Sequence, residues 1–516
     1  MLARCRSASL QGLLATPVTV EVDLTPGLPG VQLVGLPDKA IQESRERVRS
    51  ALRNSGFRGP LIRVVINLAP ADQRKEGPAF DLPIALALLV ASGQLDAPCL
   101  DGLLCAGELG LDGSLRPCRG VLAFAELALE QGARELVIPP ANVEEACLIP
   151  SLNVRTAKTL RELVNALQEH RPSLRLCRPT QPSQSLDLDQ PPVPTNVGGA
   201  GGRALALSAA GGHHLLLVGP PGCGKTRLAH QLAQLLPPLR RDEALTITRI
   251  QSVAGVLDQP GELQRRRPFR APHHRCTAAA LLGGGLHPKP GELSLAHAGV
   301  LFLDELAEFP RAVLDQLRQP LDEGVVRLSR AHWKAQFPCA ITLVAATNPC
   351  PCGWHGDRDH GCRCTVRQRQ RYWQRLSGPL LDRIDLQLRV ERPSASEMRL
   401  RLTRAGAKGD DQPPFTSRSA IQAAQQTMLR RNPDGCCNRD LSADDLLAVG
   451  AIQETGLNLW EQLVKRRSFS TRSGLQMLRV ARTIADLRDS REVSPEDVAE
   501  ASCYRCSDLQ QQDLPI

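Results

Sequence analysis

The sequence predicts an α/β protein, and three observations carry that prediction. Over roughly the first 170 residues, short β-rich runs alternate with helical patterns. A strand-like run, 214-HLLLVG-219, then feeds a glycine-rich turn and an amphipathic pattern, 225-KTRLAHQLAQLL-236. From about residue 391 the β-rich runs stop and helical patterns continue to the end.

The elements follow in order. The first unit, 1–171, offers β-rich runs at 18-VTVEVDL-24, 62-IRVVINLA-69 and 136-LVIP-139. Between them, 38-DKAIQESRERVRSAL-52 and 120-GVLAFAELALEQG-132 have helical spacing, and 82-LPIALALLVA-91 suits a buried helix. Residues 172–195 hold prolines separated by Ser, Gln and Asp, which is linker composition. The second unit, 196–390, has apolar runs at 299-GVLFLDEL-306 and 341-ITLVAA-346 besides the one at 214. The third, 391–516, carries the helical patterns 474-GLQMLRVARTIADLRD-489 and 495-PEDVAEAS-502, with a Gly, Pro and Asp-rich loop expected over 404–419.

Composition limits the function classes. Apolar residues make up 42% of the 516 and charged residues 23%, ordinary for a globular protein with several domains. No segment reaches the ~18 apolar residues of a membrane span, and the N-terminus lacks a signal-peptide core, so a cytoplasmic protein with no membrane partner is expected. The net charge of +9 permits a nucleic-acid partner without requiring one. The clusters 265-RRRPFR-270, 363-RCTVRQRQR-371 and 465-KRR-467 read equally as phosphate contacts or solvated surface. Of 17 cysteines, all but four lack metal-like spacing, and mostly free thiols in a reducing compartment are expected.

Residues 219-GPPGCGKT-226 match G-x-x-x-x-G-K-T. In that pattern the glycines let the turn of Gly219, Pro220, Pro221, Gly222, Cys223 and Gly224 curl its backbone N–H groups around phosphates, and the following helix N-terminus adds a favourable dipole. Lys225 reaches the β and γ phosphates of ATP, and Thr226 holds Mg²⁺. A strand before and a helix after give the motif its context. The apolar run 299-GVLFLDEL-306 ends in Asp304, suited to bind Mg²⁺ through water, and Glu305, suited to polarise the attacking water. Alone, such a run is weak evidence, because strands often end in a solvated acid.

With these motifs on the page, the chain resembles the AAA+ ATPases, specifically the magnesium-chelatase-like group and its ComM/YifB type. The resemblance covers nearly the whole chain, through 75-KEGPAFDLPIAL-86, 219-GPPGCGKT-226, 268-PFRAPHH-274, 347-TNPCPCG-353 and 377-SGPLLDRIDL-386. It implies a P-loop AAA+ α/β core with a C-terminal helical lid, hexameric rings, and ATP-driven movement on single-stranded or branched DNA. Members of this type act as branch-migration helicases in natural transformation and homologous recombination. By the same resemblance Asn348 is the sensor beside the γ phosphate, Arg383 the arginine finger given to a neighbouring subunit, and Arg472 the second sensor on the lid. A surface ion pair of Arg383 with Asp382 or Asp385 is the plain alternative. The segment 327-RLSRAHWKAQFP-338 corresponds to a pore hairpin, with Arg330 and Lys334 meeting phosphates and Trp333 stacking on a base, or simply packing. In relatives a turn containing acidic residues and Gln helps cradle adenine; here that segment reads 196-NVGGAGGRALALSAAGG-212. The rival class is a chelatase-like or chaperone-like remodeller of a protein partner.

The first unit resembles the Lon-type protease fold. Ala79 stands where that fold has its serine and Leu122 where it has its lysine. A Ser–Lys dyad needs a hydroxyl and an amine, so a scaffold without peptidase activity is expected.

The loop 347-TNPCPCGWHGDRDHGCRCT-365 spaces Cys350, Cys352, Cys362 and Cys364 as C-x-C-x9-C-x-C. Two close thiol pairs joined by a short loop suit one tetrahedral Zn²⁺. Buried free thiols, an Fe–S cluster, or His355 or His360 in place of one cysteine remain alternatives. Zinc would anchor the chain that leaves Asn348, which lacks a long apolar segment to do so.

Overall fold

The computed structural model describes residues 2–59, 62–72, 74–169, 175–176, 199–259, 261–285, 288–330, 333–392 and 417–505. The expected linker at 172–195 lies outside these apart from the short strand Arg175–Leu176, as does 404–416 of the loop expected over 404–419, whose last two residues are instead the start of helix Arg418–Arg431.

The first α/β unit is built on an eight-stranded mixed sheet. Its longest pair is a hairpin of Leu2–Gln11 against Leu14–Thr25, in antiparallel register from Leu2↔Asp23 to Gln11↔Leu14. Strand Arg63–Ala69 joins the far side, and Leu103–Cys105, Glu135–Val137 and Asn153–Arg155 extend the sheet in parallel. Helix Lys39–Asn54 starts where Asp38 accepts the Ile41 N–H, at 2.8 Å. Helix Asp81–Ala91 is buried on every side, as its unbroken apolar run requires. The first strand, Leu2–Gln11, is not among the expected β-rich runs.

The second unit centres on a five-stranded parallel sheet. Its order is Phe269–Arg270, Val300–Leu303, Thr342–Thr347, Leu215–Val218, Leu386–Arg389. The inner strands are fully buried and read as continuous apolar runs, as parallel strands covered on both faces do. The expected hairpin forms: Val325–Arg330 pairs antiparallel with Trp333–Pro338. Its tip, with His332, lies outside the described residues. The adenine-cradle segment contains helix Gly199–Gly211, whose Arg203 pairs with Glu500 at 2.8 Å.

Beyond Leu386–Arg389 the described chain is helical, with Arg418–Arg431, Glu454–Arg467, Thr471–Leu487 and Pro495–Cys503 as its main helices. Thr471–Leu487 is its core helix, with Met477, Ile484 and Ala485 in one cluster with the parallel sheet's Leu215 and Leu386. Among the described residues no helix is long and apolar enough to cross a membrane. Most described cysteines are free, and Cys147 is disulfide-bonded.

Candidate functional site

Parallel strands deliver loops from their carboxyl ends, and the turn after Leu215–Val218 is the phosphate motif. Gly219 donates its N–H to the Thr347 carbonyl at 3.2 Å, which ties the turn to the neighbouring strand's end. Gly224 adopts φ 94° as N-cap of helix Lys225–Leu235. A Cβ there, or at Gly222, would meet nothing within 4 Å, so the turn's concave side is open. Pro220, Pro221 and Cys223 complete it, with Cys223 buried.

Lys225 Nζ donates to the carbonyls of Gly219 (2.6 Å) and Pro220 (3.0 Å) and to Asn348 Oδ1 (3.2 Å). Burial pushes its pKa down, offset by attraction to Cys223 and to Asp304 and Glu305. Thr226 Oγ1 lies 3.5 Å from Asp304 Oδ2. Two oxygens on adjacent corners of a Mg²⁺ octahedron stand about 3 Å apart, so one cation fits both or bridges them through water. Lys225, Thr226, Asp304, Glu305 and Asn348 are thus brought together, although they come from three strand ends far apart in sequence.

Glu305 has φ 53° and ψ 47°, a left-handed conformation unusual for a residue with a side chain. Its Oε2 lies 3.0 Å from His274 Nδ1. His274 belongs to 268-PFRAPHH-274, where no spacing or residue pattern marks it for a role. Pairing with Glu305 is a product of the fold.

Arg383 and Arg472 lie elsewhere. Both bind Asp322, which no sequence motif marks: Arg383 through Nε (3.0 Å) and Nη2 (2.5 Å), Arg472 through Nη1 (3.5 Å) and Nη2. The alternative pairing of Arg383 with Asp382 or Asp385 is not found. Asp385 is buried and accepts the His214 N–H at 2.9 Å, so it faces the core. Burial alone would raise the Asp322 pKa, but the hydrogen bonds from Arg472 and Arg383 outweigh it and hold it below the usual carboxylate range.

The cavity around these residues, about 810 Å³, is lined by His214, Cys339, Ala340 and Ile341 as well as Asp322, Arg383, Arg472 and Arg479. His214 precedes strand Leu215–Val218, and Ile341 precedes Thr342–Thr347. Gly219 and Asn348 follow those same strands. The arginine cavity therefore opens at the opposite end of the sheet from the phosphate turn, a strand length of roughly 20 Å away.

The four cysteines converge. Their sulfurs lie within 4.8 Å of one another, with Cys350–Cys352 at 3.3 Å and both Cys350–Cys362 and Cys352–Cys362 at 3.7 Å. A zinc tetrathiolate with Zn–S of ~2.3 Å has S···S edges of about 3.8 Å, so the donor set fits Zn²⁺. Neither histidine belongs to the group; His360 pairs with Asp357 and stacks on Trp354 at 4.2 Å. The chain leaving Asn348 has no long apolar segment, but two aromatic side chains anchor it beside the thiol group. Trp373 Nε1 donates to the Pro349 carbonyl at 3.1 Å, and the Tyr372 hydroxyl lies 3.0 Å from Thr347 Oγ1. Two aromatics of helix Val366–Trp373 do that work because the loop folds back on itself. Gly353 (φ 83°) lies so near Pro221 that a Cβ would stand 2.7 Å from its Cδ, which sets the cysteine loop directly on the phosphate turn.

On the hairpin, Arg330 and Lys334 are exposed. Trp333 is partly buried against the apolar cluster of Val326, Ala335 and Phe337, with the Arg330 guanidinium 6.0 Å from its ring. Packing therefore accounts for part of Trp333.

In the first unit Ala79 and Leu122 are buried in one apolar cluster with Leu104 and Phe124. Neither supplies a hydroxyl or an amine. A cavity of about 440 Å³ beside Ala79 is closed partly by Val253 and Lys289 of the second unit.

Comparison with known proteins agrees with this layout. Models of the magnesium chelatase subunit ChlI match residues 197–398, those of its subunit ChlI region match 20–142, and those of its C-terminal part match 415–505. The uncharacterised protein YifB of Escherichia coli is 41% identical over 498 residues, covering 96% of each chain. Competence protein ComM of Haemophilus influenzae is 41% identical over 518 residues, covering 98% of this chain and 97% of that one. Lon protease 2 of Bacillus subtilis is 24% identical over 165 residues, 28% of this chain and 30% of its own. With relatives this similar over nearly their full length, the chain belongs to the ComM/YifB type of magnesium-chelatase-like AAA+ proteins.

Proposed function

We propose that the protein is a ring-forming ATPase, a hexamer, whose hydrolysis drives movement on single-stranded or branched DNA. One observation carries the ring. The cations suited to stabilise a transferring phosphoryl, Arg383 and Arg472, open at the far end of the sheet from Lys225 and Thr226. They cannot reach their own chain's phosphates, and a neighbouring subunit completes each site. In this reading Lys225 and the turn Gly219–Thr226 hold ATP, Thr226 and Asp304 hold Mg²⁺, Glu305 orients the water, and Asn348 senses the γ phosphate. Cys350, Cys352, Cys362 and Cys364 hold a structural Zn²⁺, which stiffens the chain between Asn348 and the phosphate turn.

DNA as the partner is supported by the name of the Haemophilus relative, a competence protein, and by the exposed Arg330 and Lys334. The test is ATP turnover with and without single-stranded and branched DNA, across salt. Electrostatic binding predicts affinity falling with a log–log slope of about −0.7 per contacted phosphate for single strands. Replacing Arg330 and Lys334 together should flatten that slope and reduce unwinding; an unchanged slope moves the DNA site elsewhere. Turnover that rises with an unfolded protein but not with DNA favours a protein remodeller instead.

A further inference from the structure

Asp322 lies in the last turn of helix Arg318–Glu323, just before the turn into hairpin strand Val325–Arg330. Its carboxylate gathers two guanidinium groups from segments 61 and 150 residues away. Such a pair of like charges repels unless an anion stands between them. Asp322 is that anion, at 30% side-chain exposure, between Arg383 at 17% and Arg472 at 43%.

The donor geometry shows what is left over. Arg383 also donates from Nε to the Arg318 carbonyl (3.0 Å) and from Nη1 to the Pro379 carbonyl (2.6 Å). Of its five N–H donors, one on Nη1 and one on Nη2 keep no partner among the described residues. Arg472 gives Asp322 its two terminal nitrogens and leaves Nε. The carboxylate thus occupies one edge of Arg383 and still leaves donors for a second anion.

We propose that Asp322 is a positioning residue for ATP hydrolysis: it fixes Arg383 and Arg472 as a pair whose remaining donors meet the γ phosphate of the neighbouring subunit. This rests on the reading of Arg383 as acting across the subunit interface. Asp322 does not touch the nucleotide; it sets where the two cations stand. A misplacement of about 1 Å at such a group costs on the order of 10²-fold in rate.

The experiment is steady-state turnover of the full-length chain with Asp322→Asn. The expected result is kcat down on the order of 10²-fold with KM for ATP within about twofold, because binding belongs to the opposite face. Adding Asp322→Asn to the Arg383→Ala/Arg472→Ala chain should cost nothing further, since Asp322 acts through those two arginines. Mixing Asp322→Asn with Glu305→Gln chains should restore part of the activity, because the defects sit on opposite faces. Asp322→Glu keeps the charge on a longer arm and should retain more turnover than Asn; its kcat loss at unchanged KM is the readout if the Asn chain fails to assemble. Wild-type or faster turnover in the two Asp322 variants, or a further loss on top of Arg383→Ala/Arg472→Ala, overturns the assignment of Asp322. Wild-type turnover in Arg383→Ala itself overturns the cross-subunit reading instead.

Discussion

Glu305 holds a backbone conformation that costs a side-chain-bearing residue roughly 1–3 kcal/mol. The reason lies one residue earlier. Asp304 Oδ1 accepts the Glu305 N–H at 2.9 Å, which directs the two carboxylates apart, one toward Thr226 and one toward His274. The strain serves the site, so relieving it should separate stability from activity. Glu305→Gly is expected to leave the melting temperature unchanged or raised, while turnover is lost. Glu305→Gln is expected to bind ATP without turning it over, and Lys225→Ala to lose nucleotide binding, both read by equilibrium binding beside a phosphate-release assay. Glu305→Gln chains with wild-type turnover would remove Glu305 from the reaction. Lys225, Thr226 and Asp304 were legible in the sequence because each sits in a short motif whose spacing carries its meaning. Asp322 and His274 were not, since their meaning lies in partners that only the folded chain brings near.

At the scale of elements, the same contrast separates strands. Val300–Leu303 and Thr342–Thr347 announce themselves as apolar runs because both faces are covered. Leu2–Gln11 alternates only as far as Ser7 and buries Ala3, Cys5, Ser7, Ala8 and Ser9, small residues that give a faint β signal. The cysteine loop was legible as a thiol cluster and as an anchor for the chain leaving Asn348, but the aromatic contacts that brace it were not. Its brace function comes from Trp373 on Pro349, Tyr372 on Thr347 and Gly353 on Pro221. Helix Val366–Trp373 can play this part because Thr365 and Gln368 form a capping box that starts it directly after Cys364. Elemental analysis should find about one zinc per chain in colourless protein. Cys362→Ser with Cys364→Ser should lose the metal and the cooperativity of ATP turnover, while Tyr372 and Trp373 keep the chain folded. Full activity in metal-free wild-type protein would show that the aromatics suffice.

At the scale of the whole molecule, the first unit is locked onto the ATPase core by the tip of its longest hairpin. Leu13, 6% exposed, is buried in one cluster with Val326, Ala335 and Phe337 of the second unit. A Cβ on neighbouring Gly12 would stand 3.4 Å from the Gln336 carbonyl. A polar seam continues the contact. Glu126 pairs with Arg249, and Glu145, whose carboxyl pKa burial pushes up, accepts from Ser252 and from the Leu122 N–H. Units joined by a buried apolar tip and desolvated polar pairs should not melt independently. Calorimetry should therefore show one main transition for the first unit and the core together. Leu13→Ala should lower it, by about 2–5 kcal/mol if the site cannot collapse. Leu13→Asp places a charge where Phe337 and Ala335 offer no partner, and should split the trace into two transitions. The first unit keeps its own core of Val20, Ile66, Leu86 and Leu103 and should survive as the separate one. Two transitions already in the wild-type chain, or an unshifted single transition in both variants, would mean that the hairpin tip rests on the core without joining it.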